Sequence, residues 1–216
     1  MSSAHLTPTL DSTRTIKSYV WYKWRSVIAA VSLLTCLSLG LLSTPWVEEG
    51  SWLALSFNTA GWMCFLAGVG MRLWATLYIG GRKGKTVIDE GPYSLCRNPL
   101  YIGTFLAIFA QVLFLKSGIF AAGLAIPMLI YALGVIPAEE DYLTRKYGDD
   151  YLRYRERVPR WLPVGKFNSP PVIELSLNGL HAECLRMAGW IWMPLLVLAL
   201  AAMRMQAWWP HLFNLP

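Results

Sequence analysis

Long apolar stretches separated by short polar ones set the pattern of this chain. Ser26 to Thr44 forms a first run, Trp52 to Ile79 a second of 28 residues, and Leu100 to Leu115 a third. A fourth, Ile119 to Ile136, follows after only Lys116, Ser117 and Gly118, and a fifth covers about Met187 to Met203. Runs of this length predict membrane-crossing helices. Only a helix or a closed barrel satisfies its own backbone in hydrocarbon, and about 20 helical residues cross a core of roughly 30 Å. The second run, roughly 42 Å long at 1.5 Å per residue, exceeds that thickness and must tilt or protrude. The short link between runs three and four predicts a tight antiparallel hairpin. The predicted fold class is therefore all-α, a multi-pass transmembrane helical bundle of about five spans.

One segment departs from this pattern. Between Ala138 and Lys166 the chain carries seven basic and six acidic residues. Within it Leu143, Tyr147, Tyr151, Tyr154 and Val158 recur at spacings of three and four, which draws one apolar-aromatic stripe on a helix. A cytoplasmic helix after span four is predicted, its stripe packed on the membrane-side core and its end set by Pro159 and Pro163.

Composition narrows the class further. Of 216 residues 55% are hydrophobic and 15% charged, with a mean hydropathy of +0.40, which excludes an ordinary soluble enzyme and a disordered chain. Eleven tryptophans suit membrane interfaces, with Trp46, Trp52, Trp208 and Trp209 as anchors. Trp21 and Trp24, beside Lys23 and Arg25, read as an interfacial segment. The net charge of +6 matters through its placement. Four Lys or Arg precede span one, four lie between spans two and three (Arg82, Lys83, Lys85, Arg97), and eight lie between spans four and five. The other side holds Lys116 and Arg204 with Glu48 and Glu49. The positive-inside rule then puts the N-terminus and both basic loops in the cytoplasm and the C-terminus outside. The charge therefore speaks of topology and a lipid bilayer partner, with no nucleic acid expected. The N-terminal segment lacks a signal-peptide cleavage pattern and is expected to remain. Cys36, Cys64, Cys96 and Cys184 show no paired or metal-ligand spacing and read as free thiols, with no metal site. Four segments follow: 1–25 interfacial, 26–67 N-terminal transmembrane, 68–163 carrying the chemistry, and 164–216 an extension with one further span.

The chemistry gathers at one face. At the start of span three, Asn98 suits a helix N-cap and Pro99 a first helical residue. The positive end of that helix lies beside Arg97, a place for a carboxylate or phosphate to dock. Glu139, Glu140 and Asp141 come at the end of span four, and the hairpin returns them to the same face. A cationic, aromatic edge at Arg97 and Tyr101 beside carboxylates suits a zwitterionic ligand. Arg72, inside span two, is a further site candidate, since ionisable residues within spans are rare and functional.

These residues belong to a longer pattern. RNPLYIG, then EEDYL, then YGDDYLRYRERVPRWLP resembles the membrane-embedded isoprenylcysteine carboxyl methyltransferase and phospholipid methyltransferase superfamily, over roughly Gly68 to Pro163. Gly68-Val69-Gly70 resembles a glycine element of the phospholipid branch. The resemblance implies S-adenosylmethionine-dependent methyl transfer at the cytoplasmic face of a bacterial inner membrane or endoplasmic reticulum. The implied acceptor is lipophilic or small, an isoprenylcysteine-type carboxylate or a phospholipid amine. It further implies catalytic roles for Arg97, Glu139 and Glu140. Cofactor contacts would come from these and from Gly68, Gly70, Asn98, Pro99, Tyr101, Gly103, Tyr151 and Arg155, and substrate contacts from Arg72 and Tyr93. One departure matters: Asn98 stands where the family has histidine, and His5, His181 and His211 lie outside the motif. Base duty falls to a glutamate or to no residue. Two other readings stay open, an NADPH-dependent membrane sterol-type reductase and a non-catalytic lipid-binding protein. Pro99 and Thr104 depart from the reductase pattern. The extension from Val164 lies beyond the resemblance, and acceptor identity and oligomeric state are open.

Overall fold

The structure, a computed structural model, describes residues 20–80 and 86–212, and these form helices with no β-strand. The segment before Val20 and the predicted basic residues Arg82, Lys83 and Lys85 lie outside the described residues. In chain order come α1 (Val20–Leu42), α2 (Trp52–Ile79), the short α3 (Pro92–Leu95), α4 (Pro99–Leu115) and α5 (Gly118–Ile130). A π-helical turn (Tyr131–Val135), α6 (Ile136–Tyr147), α7 (Asp149–Arg157), α8 (Leu177–Trp190) and α9 (Trp192–Arg204) follow. Three stretches are long and apolar enough to cross a membrane: Trp52–Ile79, Gly118–Tyr147 and Leu177–Arg204. Val27–Leu42 and Pro99–Leu115 are shorter apolar helices. Trp52, Leu53, Leu55, Met63 and Leu66 of α2 point outward, exposed, as a lipid-facing surface requires. The membrane-bundle expectation matches this architecture.

Packing inside the bundle joins α2 to α4, α1 to α5, α4 to α9 and α2 to α8. Phe65, Ala107, Ala110, Phe114, Phe120, Leu124, Val197 and Ala201 make its core. The tightest crossing is between α2 and α4. A Cβ on Gly68 would come within 2.5 Å of the Gly103 carbonyl oxygen, and one on Gly103 within 2.6 Å of the Gly68 carbonyl oxygen. Of Gly68, Gly70 and Gly103, which the resemblance assigns to cofactor contacts, two are taken up by this crossing. Gly68 and Gly103 let two backbones meet, as small residues do between membrane helices, and Gly70 is exposed on the other side with open space around it.

Three further expectations change in detail. Span four does not stop at Ile136, because α5, the π turn and α6 run on as one helix to Tyr147. Two prolines bracket the irregular turn. Pro127 has no N–H to give the Gly123 carbonyl, and the Ser32 hydroxyl of α1 donates to that oxygen instead at 2.9 Å. The wider turn closes with the Ile136 N–H on the Tyr131 carbonyl, just ahead of Pro137. The predicted single cytoplasmic helix is broken between α6 and α7 at Gly148, whose φ of 56° lies in the region glycine favours. Its stripe still assembles, with Leu143, Tyr147, Tyr151, Tyr154 and Val158 packed together and against Val87. The last span begins at Leu177, ahead of the expected Met187, and is interrupted at Ile191, where Pro194 denies Trp190 its helical donor.

If the glycine crossing is structural, Gly68→Ala and Gly103→Ala should each destabilise the protein by about 1–3 kcal/mol, the usual scale of overpacking. Gly70→Ala should stay within about 0.5 kcal/mol. Thermal unfolding of the three variants in detergent checks this, and equal melting points would contradict it.

Candidate active site

At one end of the bundle the C-terminus of α2, α3, the start of α4, α6 and α7 surround a cavity of about 150 Å³. Its walls include Tyr93, Arg97, Asn98, Pro99, Tyr101, Glu139, Glu140, Tyr151 and Tyr154. Adjacent residues on a helix point about 100° apart, so α6 presents Glu139 and Glu140 in different directions, and their partners differ accordingly.

Glu140 is 3% exposed and carries the polar framework. Arg97 donates to it from Nε at 3.0 Å, and Arg160, in the chain after α7, from Nη2 at 2.7 Å and Nε at 3.1 Å. The Asn98 amide adds a longer donation at 3.3 Å. Arg97 also gives Nη1 to the carbonyls of Arg155 at 2.7 Å and Val158 at 3.1 Å, the carbonyl end of α7. Its own backbone N–H reaches the Pro159 carbonyl at 2.9 Å. The structure thus brings Arg97, Asn98 and Glu140 together, but with each other. Arg97 does not stand open to a ligand carboxylate as the sequence implied. Asn98 makes no side-chain cap on α4 either; its amide is drawn to Glu140 and to the Arg160 carbonyl. Hydrogen bonding to Glu140 also holds the Arg160 guanidinium above its usual range.

Glu139 is the carboxylate left to the cavity. It accepts the Tyr101 hydroxyl at 2.8 Å, and no arginine among the described residues pairs with it. Tyr93, 7% exposed, lines the same cavity, and its hydroxyl is buried with no hydrogen-bond partner among the described residues. Burial first, and the Glu139 charge second, push the Tyr93 hydroxyl well above the ordinary tyrosine range. Burial does the same for Tyr151 and Tyr154. All three rings are neutral near neutral pH and act as hydrogen-bonding or π surfaces, not as bases. Tyr154 spends its hydroxyl on the Tyr93 carbonyl at 2.9 Å, which fixes α3 against α7.

Other sequence-predicted residues fall elsewhere. Arg72 does not line the cavity; it donates to Glu183 of α8 at 2.7 Å and to the Thr104 hydroxyl at 2.6 Å. Arg155 is exposed, contributing its carbonyl rather than its side chain. Arg160 and Glu183 had no assigned role in the sequence. Arg160 was findable, because two glutamates on one face outnumber the single Arg97. Glu183 had a comparable signal only in the question of what compensates Arg72.

A helical membrane protein with tyrosines and a buried Arg-Glu framework around one cavity defines the class. Comparison with known proteins names the family. The phospholipid methyltransferase family matches residues 57–150. Nickel-cobalt-cadmium resistance protein NccN of Alcaligenes xylosoxydans xylosoxydans is 30% identical over 196 residues, 89% of this chain and 88% of that protein. Cobalt-zinc-cadmium resistance protein CzcN of Cupriavidus metallidurans is 36% identical over 141 residues, 65% and 62% of the two chains. Protein-S-isoprenylcysteine O-methyltransferase of Rattus norvegicus is 26% identical over 149 residues, 64% of this chain and 51% of that one. No solved structure matches. The chain belongs to the superfamily of membrane-embedded phospholipid and isoprenylcysteine carboxyl methyltransferases, and it is a methyltransferase.

Two predictions follow from the geometry. Glu140→Gln should destabilise the protein by roughly 3 kcal/mol, the scale for breaking a buried ion pair and stranding its partners, whereas Glu139→Gln should cost under about 1 kcal/mol. Thermal unfolding in detergent separates the two. Burial pushes the Cys96 thiol up to about 11, so at pH 8 roughly one molecule in a thousand is thiolate. Alkylation of Cys96 followed by mass spectrometry should be slow in the folded protein at pH 8 and become fast once denaturant exposes the thiol.

Proposed function

We propose that this chain transfers a methyl group from S-adenosylmethionine to a lipophilic acceptor at the cytoplasmic face of its membrane. One observation carries the reading: Glu139, which pairs with no arginine among the described residues, and Tyr93, whose buried hydroxyl has no partner among them, line one cavity. An ammonium group with several N–H donors satisfies both, and a buried hydroxyl left unmade costs about 1–3 kcal/mol. The tyrosine faces of the same cavity suit a sulfonium. The start of α4, with Pro99 and Leu100 in the wall, offers a positive helix end to the donor's carboxylate in place of the occupied Arg97.

When bound, the donor supplies a methyl carbon already activated by positive sulfur. The protein's residues hold and orient it. Glu139 takes the ammonium, Tyr101 fixes Glu139, and Glu140 with Arg97 and Arg160 keeps α4, α6 and α7 in register. Neither Asn98 nor the neutral tyrosines accept a proton near pH 7, so the site suits an acceptor that is already anionic, such as a carboxylate. Its lone pair forms the new bond as the carbon–sulfur bond breaks.

The first test is ligand choice. Purified protein should bind S-adenosylhomocysteine and not NADPH. Glu139→Gln should weaken that binding by about 1.5–3 kcal/mol and Tyr93→Phe by about 1 kcal/mol, at unchanged melting temperature. Preference for NADPH would overturn the reading. For the acceptor, single-turnover rates at saturating donor should be flat from about pH 6 to 9 with a carboxylate and should rise with pH for a thiol or amine. The face is tested with single cysteines in intact cells. An impermeant reagent should label a cysteine at Glu48 and spare one at Asp150. The relatives named for metal resistance make tolerance to nickel, cobalt, cadmium and zinc the phenotype to measure, in cells carrying wild type or Glu139→Gln.

A further inference from the structure

Within the bundle, away from the cavity wall, Arg72 of α2 and Glu183 of α8 form an ion pair at 2.7 Å, their side chains 13% and 4% exposed. Arg186 pairs with the second Glu183 oxygen. The Arg72 guanidinium lies 5.0 Å from the centre of the Trp190 ring. Its Nη1 does something different: it donates to the Thr104 hydroxyl at 2.6 Å and to the Leu100 carbonyl at 3.3 Å. Thr104 in turn donates to the same Leu100 carbonyl at 2.8 Å. Leu100 precedes Tyr101, the residue that holds Glu139. A charge carried by the C-terminal extension thus sets the direction of an arginine that grips the first turns of α4, and that turn bears the cavity residues Asn98 and Tyr101.

We propose that Glu183 is a positioning residue for the methyl-donor cavity, acting through Arg72 on the start of α4, so that residues 164–216 are part of the methyltransferase unit. The claim rests on the donor reading above. Its physical basis is that a guanidinium in an apolar setting follows its counter-ion. Without Glu183, Arg72 turns toward the nearest polar surface, leaves Leu100 and Thr104, and frees the α4 end to shift against α6. Tyr101 then no longer orders Glu139.

A purely structural pair would behave differently. Replacing both partners of a buried ion pair with apolar residues of similar size often preserves stability. The experiment therefore uses the full-length protein in detergent, with melting temperature and S-adenosylhomocysteine affinity measured together. Glu183→Leu alone should lower both. The double variant Arg72→Met with Glu183→Leu should melt near wild type yet bind at least tenfold more weakly. Recovery of both stability and affinity in the double variant would overturn the proposal. Thr104→Val leaves the ion pair intact and removes the shorter of the two Arg72 bonds to α4. Roughly threefold weaker binding at an unchanged melting temperature is expected there, and wild-type affinity counts against positioning even if the double variant fails to fold. Wild-type protein that ignores S-adenosylhomocysteine would refute the donor reading itself and this inference with it, whereas binding that every variant retains would refute this inference alone.

Discussion

A carboxylate that is almost wholly buried must be compensated where it stands, and Glu140 imposes that requirement on one whole end of the molecule. Its partners come from two separate parts of the chain, Arg97 and Asn98 before α4 and Arg160 beyond α7, and meet it on α6. Arg97 extends the framework to the carbonyl end of α7 through Arg155 and Val158. Pinning Glu140 also fixes where its neighbour Glu139 points, since both ride on one rigid helix. The two glutamates are adjacent in sequence yet divide the work, one paired with arginines and one left to the cavity. The tyrosines around them are held neutral by burial, so the site is a shaped, hydrogen-bonding surface without a strong base.

The opposite end of the bundle closes by the same logic with cations. Arg204, 1% exposed, donates to the Ser43 carbonyl at 2.7 Å and the Leu115 carbonyl at 3.0 Å, at the ends of α1 and α4. Lys116, also 1% exposed, reaches Glu49 at 2.7 Å and the Phe114 carbonyl at 3.2 Å. Cations at helix C-termini satisfy free carbonyls and oppose the negative dipole end. The two basic residues of that end are therefore consumed in structure.

Between these ends the apolar middle depends on close backbone approach. Gly68 against Gly103 sets the spacing of α2 and α4, and Arg72 leaves α2 one helical turn later to reach Thr104 and Leu100. Glycine contact and arginine grip act on the same pair of helices. The C-terminal helices join this arrangement through Glu183 and Trp190. The stretch before them runs over α3, with the Gly165 N–H on the Leu95 carbonyl at 3.0 Å and the Gly91 N–H on the Asn168 carbonyl at 2.6 Å.

Hydrophobic run length alone determined much of the fold. Trp52–Ile79 is a helix with the bounds its apolar residues drew, and the short link at Lys116 and Ser117 made the α4–α5 hairpin, because hydrocarbon admits few alternatives to a helix. The motif residues Arg97, Tyr101, Glu139 and Glu140 were legible for the same reason, since a hairpin must return its ends to one face. What the sequence left undecided was which charge meets which. Arg97 looked available to a ligand until a second glutamate partner, Arg160, and two α7 carbonyls were seen around it. Gly68 suited helix packing and ligand clearance alike until α4 was seen against it. Glu183 lies 111 positions from Arg72, and no local pattern links them. Periodicity and run length report how a residue relates to its own helix. Pairing between helices depends on their rotation and depth, which only the packed tertiary structure decides.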